Sequence, residues 1–87
     1  MLTGTLKNGF KYEIDEGALD NMELIDAMAE AQEDDPTKFS KAVLILLGKE
    51  QRDRLYDHVR KDGRVAISDV TDAFVEIFQD IGDQGKN

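Results

Sequence analysis

The sequence predicts a small, mainly helical α+β domain in which an N-terminal β-hairpin packs on about four α-helices. Two strand-like runs, residues 2–6 and 10–14, flank Asn8-Gly9, which is a strong short-range hairpin signal. Downstream, successive stretches combine helix start signals with helical spacing of apolar residues. With 87 residues, 40% hydrophobic and 34% charged, the chain suits one globular domain with a modest core. We assign residues 1–82 to that domain and residues 83–87 to a flexible polar tail.

The hairpin is expected to turn at Asn8-Gly9 in a type I′ turn, whose two central positions both need positive φ. Alternation along the second strand places Phe10, Tyr12 and Ile14 on one face. Because an isolated hairpin is only marginally stable in water, that face is expected to lie on helices.

The first helix is predicted to begin near Asn21. Asp20 and Glu23 have the spacing of a capping box, and Leu19 and Leu24 have the spacing of a hydrophobic staple. Helical periodicity then separates a narrow acidic arc from an apolar arc that is wide for so small a protein. The acidic arc contains Glu23, Asp26, Glu30 and Glu33, and the apolar arc contains Met22, Leu24, Ile25, Ala27, Met28, Ala29 and Ala31.

The second helix is predicted to start at Asp35-Pro36, with aspartate as N-cap and proline in the first turn, and to stop at Gly48. Residues 42–47 are all apolar, so this helix should form the buried centre of the domain.

A third helix is predicted from Glu50 to Lys61, with a thin apolar seam, and Asp62-Gly63 should end it. A fourth helix should be capped by Ser68 and stop at Gly82. Its apolar residues follow the i, i+3, i+4, i+7 rule from Val70 to Ile81.

Composition excludes several classes of function. The absence of cysteine excludes disulfides, thiolate nucleophiles and cysteine-ligated zinc. No apolar run approaches the ~20 residues of a membrane span, and the N-terminus lacks an export signal, so we expect neither membrane insertion nor export. A net charge of −8 opposes binding to nucleic acid.

Charge is also segregated along the chain. Residues 13–35 contain ten carboxylates and no Lys or Arg, whereas residues 38–64 contain eight bases and four acids. Such polarity is typical of a chain that docks on other proteins, because complementary patches steer encounter and orientation. The acids interleaved among the bases of the third helix favour a salt-bridged solvent face over a nucleic-acid surface.

Residues 61–69 resemble the second half of a calcium-binding EF-hand loop. His58 and Arg60 occupy the first and third positions, where calcium needs oxygen ligands, so we interpret the segment as a corner with Gly63 at positive φ.

The chain is not expected to be an enzyme. A Ser-His-Asp set could be drawn from Ser40 or Ser68 with His58 and Asp57, but no nucleophile-elbow pattern surrounds either serine. We interpret His58 as a surface residue. Asp20, Glu23 and Asp26 could be imagined as a metal cluster, but helix capping and a solvated helix face explain them. No catalytic residue, cofactor or metal is therefore predicted.

Five segments carry a resemblance to a known family through their order along the chain, namely residues 10–15, 19–24, 44–51, 55–58 and 62–65. Together they resemble small tail assembly chaperones of long-tailed bacteriophages and prophages. The resemblance covers nearly the whole chain, and its motifs are structural rather than chemical. It implies a protein of the infected host's bacterial cytoplasm that binds the tape measure protein, keeps it soluble, helps recruit tail tube subunits and is absent from the mature virion.

The candidate partner-binding surface is the wide apolar arc of the first helix. We expect Met22, Ile25 and Met28 to face the tape measure protein or a second copy of the chain. The competing interpretation is that they pack entirely into the domain's own core. The acidic flank of this surface consists of Asp26, Glu30 and Glu33. The alternative function is a small acidic regulatory or antitoxin-like adaptor that masks a basic protein with the face formed by residues 13–35.

Overall fold

A computed structural model of the chain describes residues 1–33 and 37–84. Within these residues, a two-stranded antiparallel sheet precedes four helices, which confirms the mainly helical α+β fold. The strands are β1 (Leu2–Thr5) and β2 (Lys11–Ile14), and the helices are α1 (Glu16–Leu19), α2 (Met22–Glu33), α3 (Thr37–Val59) and α4 (Ile67–Gln84).

The hairpin forms, but the predicted type I′ turn at Asn8-Gly9 is wrong. The Gly9 N–H donates to the Leu6 carbonyl at 2.9 Å, and the Leu6 N–H donates to the Phe10 carbonyl at 2.8 Å. Gly9 has φ +91°, whereas Asn8 is not among the residues with positive φ. The connection is therefore a three-residue loop with glycine at a bulge. The Asn8 side chain accepts the Phe10 N–H at 2.9 Å, which supports the loop without placing Asn8 in a strained conformation.

A type I′ turn does occur, but it lies between α3 and α4 and not in the N-terminal hairpin. Asp62 and Gly63 have φ values of +54° and +75°, so the expected positive φ at Gly63 is confirmed. Lys61 and Arg64 exchange two backbone hydrogen bonds of 2.9 Å across this pair. Two successive positive φ values in a two-residue loop are the mark of a type I′ turn.

The helical region begins earlier than predicted, with the short helix α1. Its N-cap is Asp15, whose side chain accepts the Gly17 N–H at 2.9 Å. Asp20 ends α1, so the predicted cap at Asp20 is wrong by one residue. Asn21 caps α2 instead, because its side-chain oxygen accepts the Glu23 N–H at 3.0 Å.

The predicted second and third helices are the two halves of α3, residues 37–47 and 49–59. They meet at a kink at Gly48, which has φ +81° and ψ 163°. Gln51 stabilises the kink, since its amide nitrogen donates to the Leu47 carbonyl at 2.8 Å and its oxygen accepts the Glu13 N–H of β2 at 2.7 Å. The second half ends at Val59, before the predicted Lys61. The predicted start at Asp35-Pro36 lies outside the described residues.

Helix α4 is longer than predicted at both ends. It begins at Ile67, and the Thr71 hydroxyl donates to the Ile67 carbonyl at 2.8 Å. Ser68 therefore lies inside the helix and is not its cap. Gly82 does not adopt positive φ, and the helix continues through it to Gln84. A single helical glycine costs only about 1 kcal/mol relative to alanine, which does not stop a well-packed helix. Residues 85–87 of the predicted tail lie outside the described residues.

The hairpin and helices share one hydrophobic core centred on α3. Phe10, Tyr12 and Ile14 are buried together, as their alternation predicts. The first half of α3 is buried at Ala42, Val43, Leu46 and Leu47, which confirms its central position. Helix α3 contacts α1, α2, α4 and β2, so the other elements are arranged around it.

Candidate functional site

An apolar groove of about 770 Å³ lies between α2, α3 and α4. None of the described residues that line it carries a charge. Aliphatic and aromatic side chains predominate, and the polar groups are the hydroxyls and amides of Gln32, Ser40, Tyr56, Thr71 and Gln79. Its volume falls within the ~300–1,000 Å³ typical of binding pockets, which combine an apolar lining with a few polar groups.

Helix α4 forms the longest wall because its apolar arc covers two faces. Ala73 and Ile77 are buried in the core and do not line the groove. Ile67 and Val75 line the groove and remain 77% and 48% exposed. Since both sets belong to one helix, only part of the apolar surface of α4 is used to hold the domain together.

Aromatic rings join α3 to α4 along this groove. The Phe74 ring lies 5.1 Å from the Phe39 ring at an interplanar angle of 76°, and 5.1 Å from the Phe78 ring. Edge-to-face rings at such distances stabilise each other beyond the area that they bury. Next to them, the Tyr56 hydroxyl lies 3.5 Å from the Ser40 hydroxyl. The lining is therefore held by its own contacts and does not need a bound partner to be ordered.

The structure separates the predicted apolar residues of α2. Met28 is half-buried and lines the groove. Ile25 and Met22 are 53% and 66% exposed and lie outside the lining. The buried face of α2 is formed by Leu24 and Ala27, which turns Met22 and Ile25 toward solvent.

The predicted acidic flank lies on the outer side of α2. Asp26 and Glu30 are exposed, and neither lines the groove. The Glu30 carboxylate lies 3.7 Å from the Lys38 ammonium group. An ion pair this exposed contributes little to stability. The side chain of Glu33 lies outside the described residues.

His58 occupies a structural position on the surface. Its Nε2 atom lies 2.7 Å from the Asn8 carbonyl oxygen, and its ring lies 5.8 Å from the Phe10 ring. It thus links the hairpin loop to the second half of α3. Among the described residues, no group of three or more His, Asp or Glu side chains is placed to hold a metal ion.

Sequence reasoning missed most of the groove. Phe74 and Phe78 lie on the apolar stripe of α4 with i, i+3, i+4, i+7 spacing, and this spacing predicts no groove beside the stripe. One signal was available: Val75 lies off that stripe and widens the apolar arc of α4, as the arc of α2 is widened. The gap between α2 and α4 that opens the groove has no local signal in the sequence.

Comparisons of the chain with protein-family models, curated proteins and solved structures found no match. Across residues 1–33 and 37–84, no helix has the length and apolar character needed to cross a membrane. The interpretation of the groove therefore depends on its own geometry and chemistry.

Proposed function

We propose that the protein is a non-enzymatic phage tail assembly chaperone that holds a helix of the tape measure protein in the groove. One observation carries the proposal, namely an open apolar groove whose described lining residues bear no charge. Such grooves accept the apolar face of an amphipathic helix, which buries anchor side chains at i, i+3, i+4 and i+7.

Exposed apolar surface around the groove supports the proposal. Ile67 and Val75 are large apolar residues that the domain leaves accessible, and contiguous patches of this kind mark interaction sites on soluble proteins. Met28, on the α2 wall, is flexible and polarizable, so it can adjust to irregular partner surfaces. A chaperone needs these properties because it holds apolar segments that are not yet assembled.

The choice of partner rests on the sequence resemblance to tail assembly chaperones. That resemblance supports a tape measure protein as the bound chain, recruitment of tail tube subunits as the outcome, and action in the host bacterial cytoplasm before the virion is complete. The groove supports the binding step of this proposal.

Co-purification with the tape measure protein tests the proposal. Val75→Asp places a charge in the groove at a position already 48% exposed, so recovery of the tape measure protein should fall about tenfold or more while the fold persists. Leu44→Asp is the matched control, because Leu44 is also exposed, at 37%, but lies outside the lining.

Ile67→Asp provides a second groove variant that should perturb the fold even less, because Ile67 is 77% exposed. It lies in the first turn of α4, where an acidic side chain is compatible with the helix dipole. Circular dichroism melts should match wild type for all three variants. Wild-type recovery with both groove variants would exclude the groove as the site of binding.

The antitoxin-like adaptor is the second candidate. It is favoured by Asp26, which is exposed and has no ion pair within the described part of the chain. An adaptor that masks a basic protein should lose its partner when Glu23 and Asp26 are both changed to Lys, and should keep it with Val75→Asp. The reverse pattern supports the chaperone.

A further inference from the structure

We infer that the helix held in the groove carries Lys or Arg beside its apolar anchors, on the flank that faces Asp72 of α4. This inference rests on the proposed function, since it describes the helix that the groove would accept. It specifies the charge pattern of the bound helix and names Asp72 as the residue that recognises this pattern.

The two helices that form opposite walls of the groove are acidic and contain no base. Neither residues 22–33 nor residues 67–84 include a Lys or Arg. Two acids of α4 are already used by the hairpin, because Asp80 accepts the Tyr12 hydroxyl and Glu76 accepts the Lys7 N–H at 2.8 Å. These neutral donors leave both carboxylates charged, but they hold them toward the hairpin. A carboxylate of α4 that faces a bound helix must therefore lie elsewhere on α4.

Asp72 lies at the edge of the groove. It precedes Val75 by three residues and Gln79 by seven, so it shares a side of α4 with these two lining residues. Asp72 is exposed, and it makes no ion pair within residues 1–33 and 37–84. Its carboxylate is available to a cation on a bound chain.

Two bases of α3 that are close in sequence to lining residues already have partners within the fold. Lys38 lies 3.7 Å from Glu30, and the Arg52 guanidinium lies 5.7 Å from the centre of the Tyr56 ring with its side chain only 22% exposed. Arg64 lies in the turn before Val65, at one end of the groove. We therefore expect bases on the partner along the α4 flank and not at the turn.

The two parts of the groove have different roles in this arrangement. The apolar lining supplies affinity through burial of anchors. Asp72 orients the bound helix and speeds its association with the groove, because charge at the rim of an interface affects specificity and association rate more than affinity. This contribution should weaken as salt increases, since exposed charges are screened beyond about 8–10 Å at physiological ionic strength.

Two model peptides can test this inference on the full chain. Both are helical 18-residue peptides with the same leucine face, and the positions that flank this face are all Lys in one peptide and all Glu in the other. Fluorescence anisotropy at 50 mM NaCl should give a Kd about tenfold or more lower for the Lys peptide, with a smaller ratio at 500 mM NaCl.

Asp72→Lys should reduce that preference at least about threefold relative to wild type. Glu50→Lys is the matched control because it makes the same change in net charge at an exposed position outside the lining. It should leave more of the preference intact than Asp72→Lys does. Thermal melts of both variants confirm that each is folded.

The outcomes separate this inference from the proposed function. Equal Kd values for the two peptides, or equal effects of Asp72→Lys and Glu50→Lys, would overturn the charge inference and leave the groove as a helix site. Failure of both peptides to bind, together with wild-type capture of the tape measure protein by Val75→Asp and Ile67→Asp, would overturn both.

Discussion

The two apolar faces of α4 have the same chemistry and different roles. On one side, Ile77 is fully buried, and Tyr12 and Lys7 of the hairpin donate hydrogen bonds to Asp80 and Glu76. On the other side, Val75 remains 48% exposed beside the groove. The first face is held by direct contacts with the hairpin and core, and the second has no covering element among the described residues.

This difference shows that an over-wide apolar arc on a helix can be divided between a buried face and a face that stays open to solvent. The apolar residues of the two faces are alike, so residue type does not reveal the division. What distinguishes them is whether another element of the fold reaches that face. Substitutions on the two faces should therefore have unequal effects on stability.

The largest effect is expected for Ile77→Ala on the buried face. Ile77 has no exposed surface, so its truncation should leave a cavity and lower the free energy of unfolding by about 2–5 kcal/mol. Val75→Ala, on the groove face, should lower it by less than about 1 kcal/mol because the side chain is already half solvated. Urea denaturation measures both, and similar losses would show that the groove face is also core.

A smaller loss is expected for Gly4→Ala, at the contact between the hairpin and α4. A Cβ atom at Gly4 would lie 2.5 Å from an Asp80 carboxylate oxygen, 2.5 Å from the Tyr12 hydroxyl and 2.7 Å from a Tyr12 ring carbon. Relief of this overlap should cost about 1–3 kcal/mol.

Gly17→Ala is the matched control for Gly4→Ala. Its Cβ would come no closer than 3.4 Å to the Asp15 side chain, and Gly17 lies in the short helix α1. Alanine should be neutral there or stabilise by up to about 1 kcal/mol. If Gly4→Ala has the same effect, the hairpin is not held tightly against α4.

Tyr12→Phe should have a smaller effect still, since it removes one hydroxyl and keeps the buried ring. Loss of the hydrogen bond to Asp80 should lower the free energy of unfolding by about 1 kcal/mol. A double-mutant cycle with Asp80→Ala, which removes the acceptor, isolates this contact. Additive losses in the cycle would indicate that the two side chains are not coupled in solution.

The smallest effect is expected for Ile67→Asp on the groove face. Because Ile67 is 77% exposed, the free energy of unfolding should change by no more than about 0.5 kcal/mol, although the same variant should lose the tape measure protein. A loss above about 2 kcal/mol would place Ile67 in the core and remove it from the candidate site.

Much of the fold could be predicted because it follows local periodicity. The buried face of Phe10, Tyr12 and Ile14 follows from alternation, and the central position of the first half of α3, buried at Ala42, Val43, Leu46 and Leu47, follows from an uninterrupted apolar run. The candidate site was less accessible to prediction. Met28 lies in the groove, whereas Met22 and Ile25 face outward, because the buried face of α2 is set by how Leu24 and Ala27 pack on the rest of the domain.

By itself, the sequence determined the order of the hairpin and main helices, the break at Gly48 and the positive φ at Gly63, since each depends on residues close together in the chain. The tertiary structure decided the loop at Asn8-Gly9, where His58 contacts the Asn8 carbonyl, and the continuation of α4 through Gly82. It also decided which half of the α4 apolar arc stays open. That outcome depends on the distance between α2 and α4, which is set by packing on α3 and by the hairpin on the far side of α4.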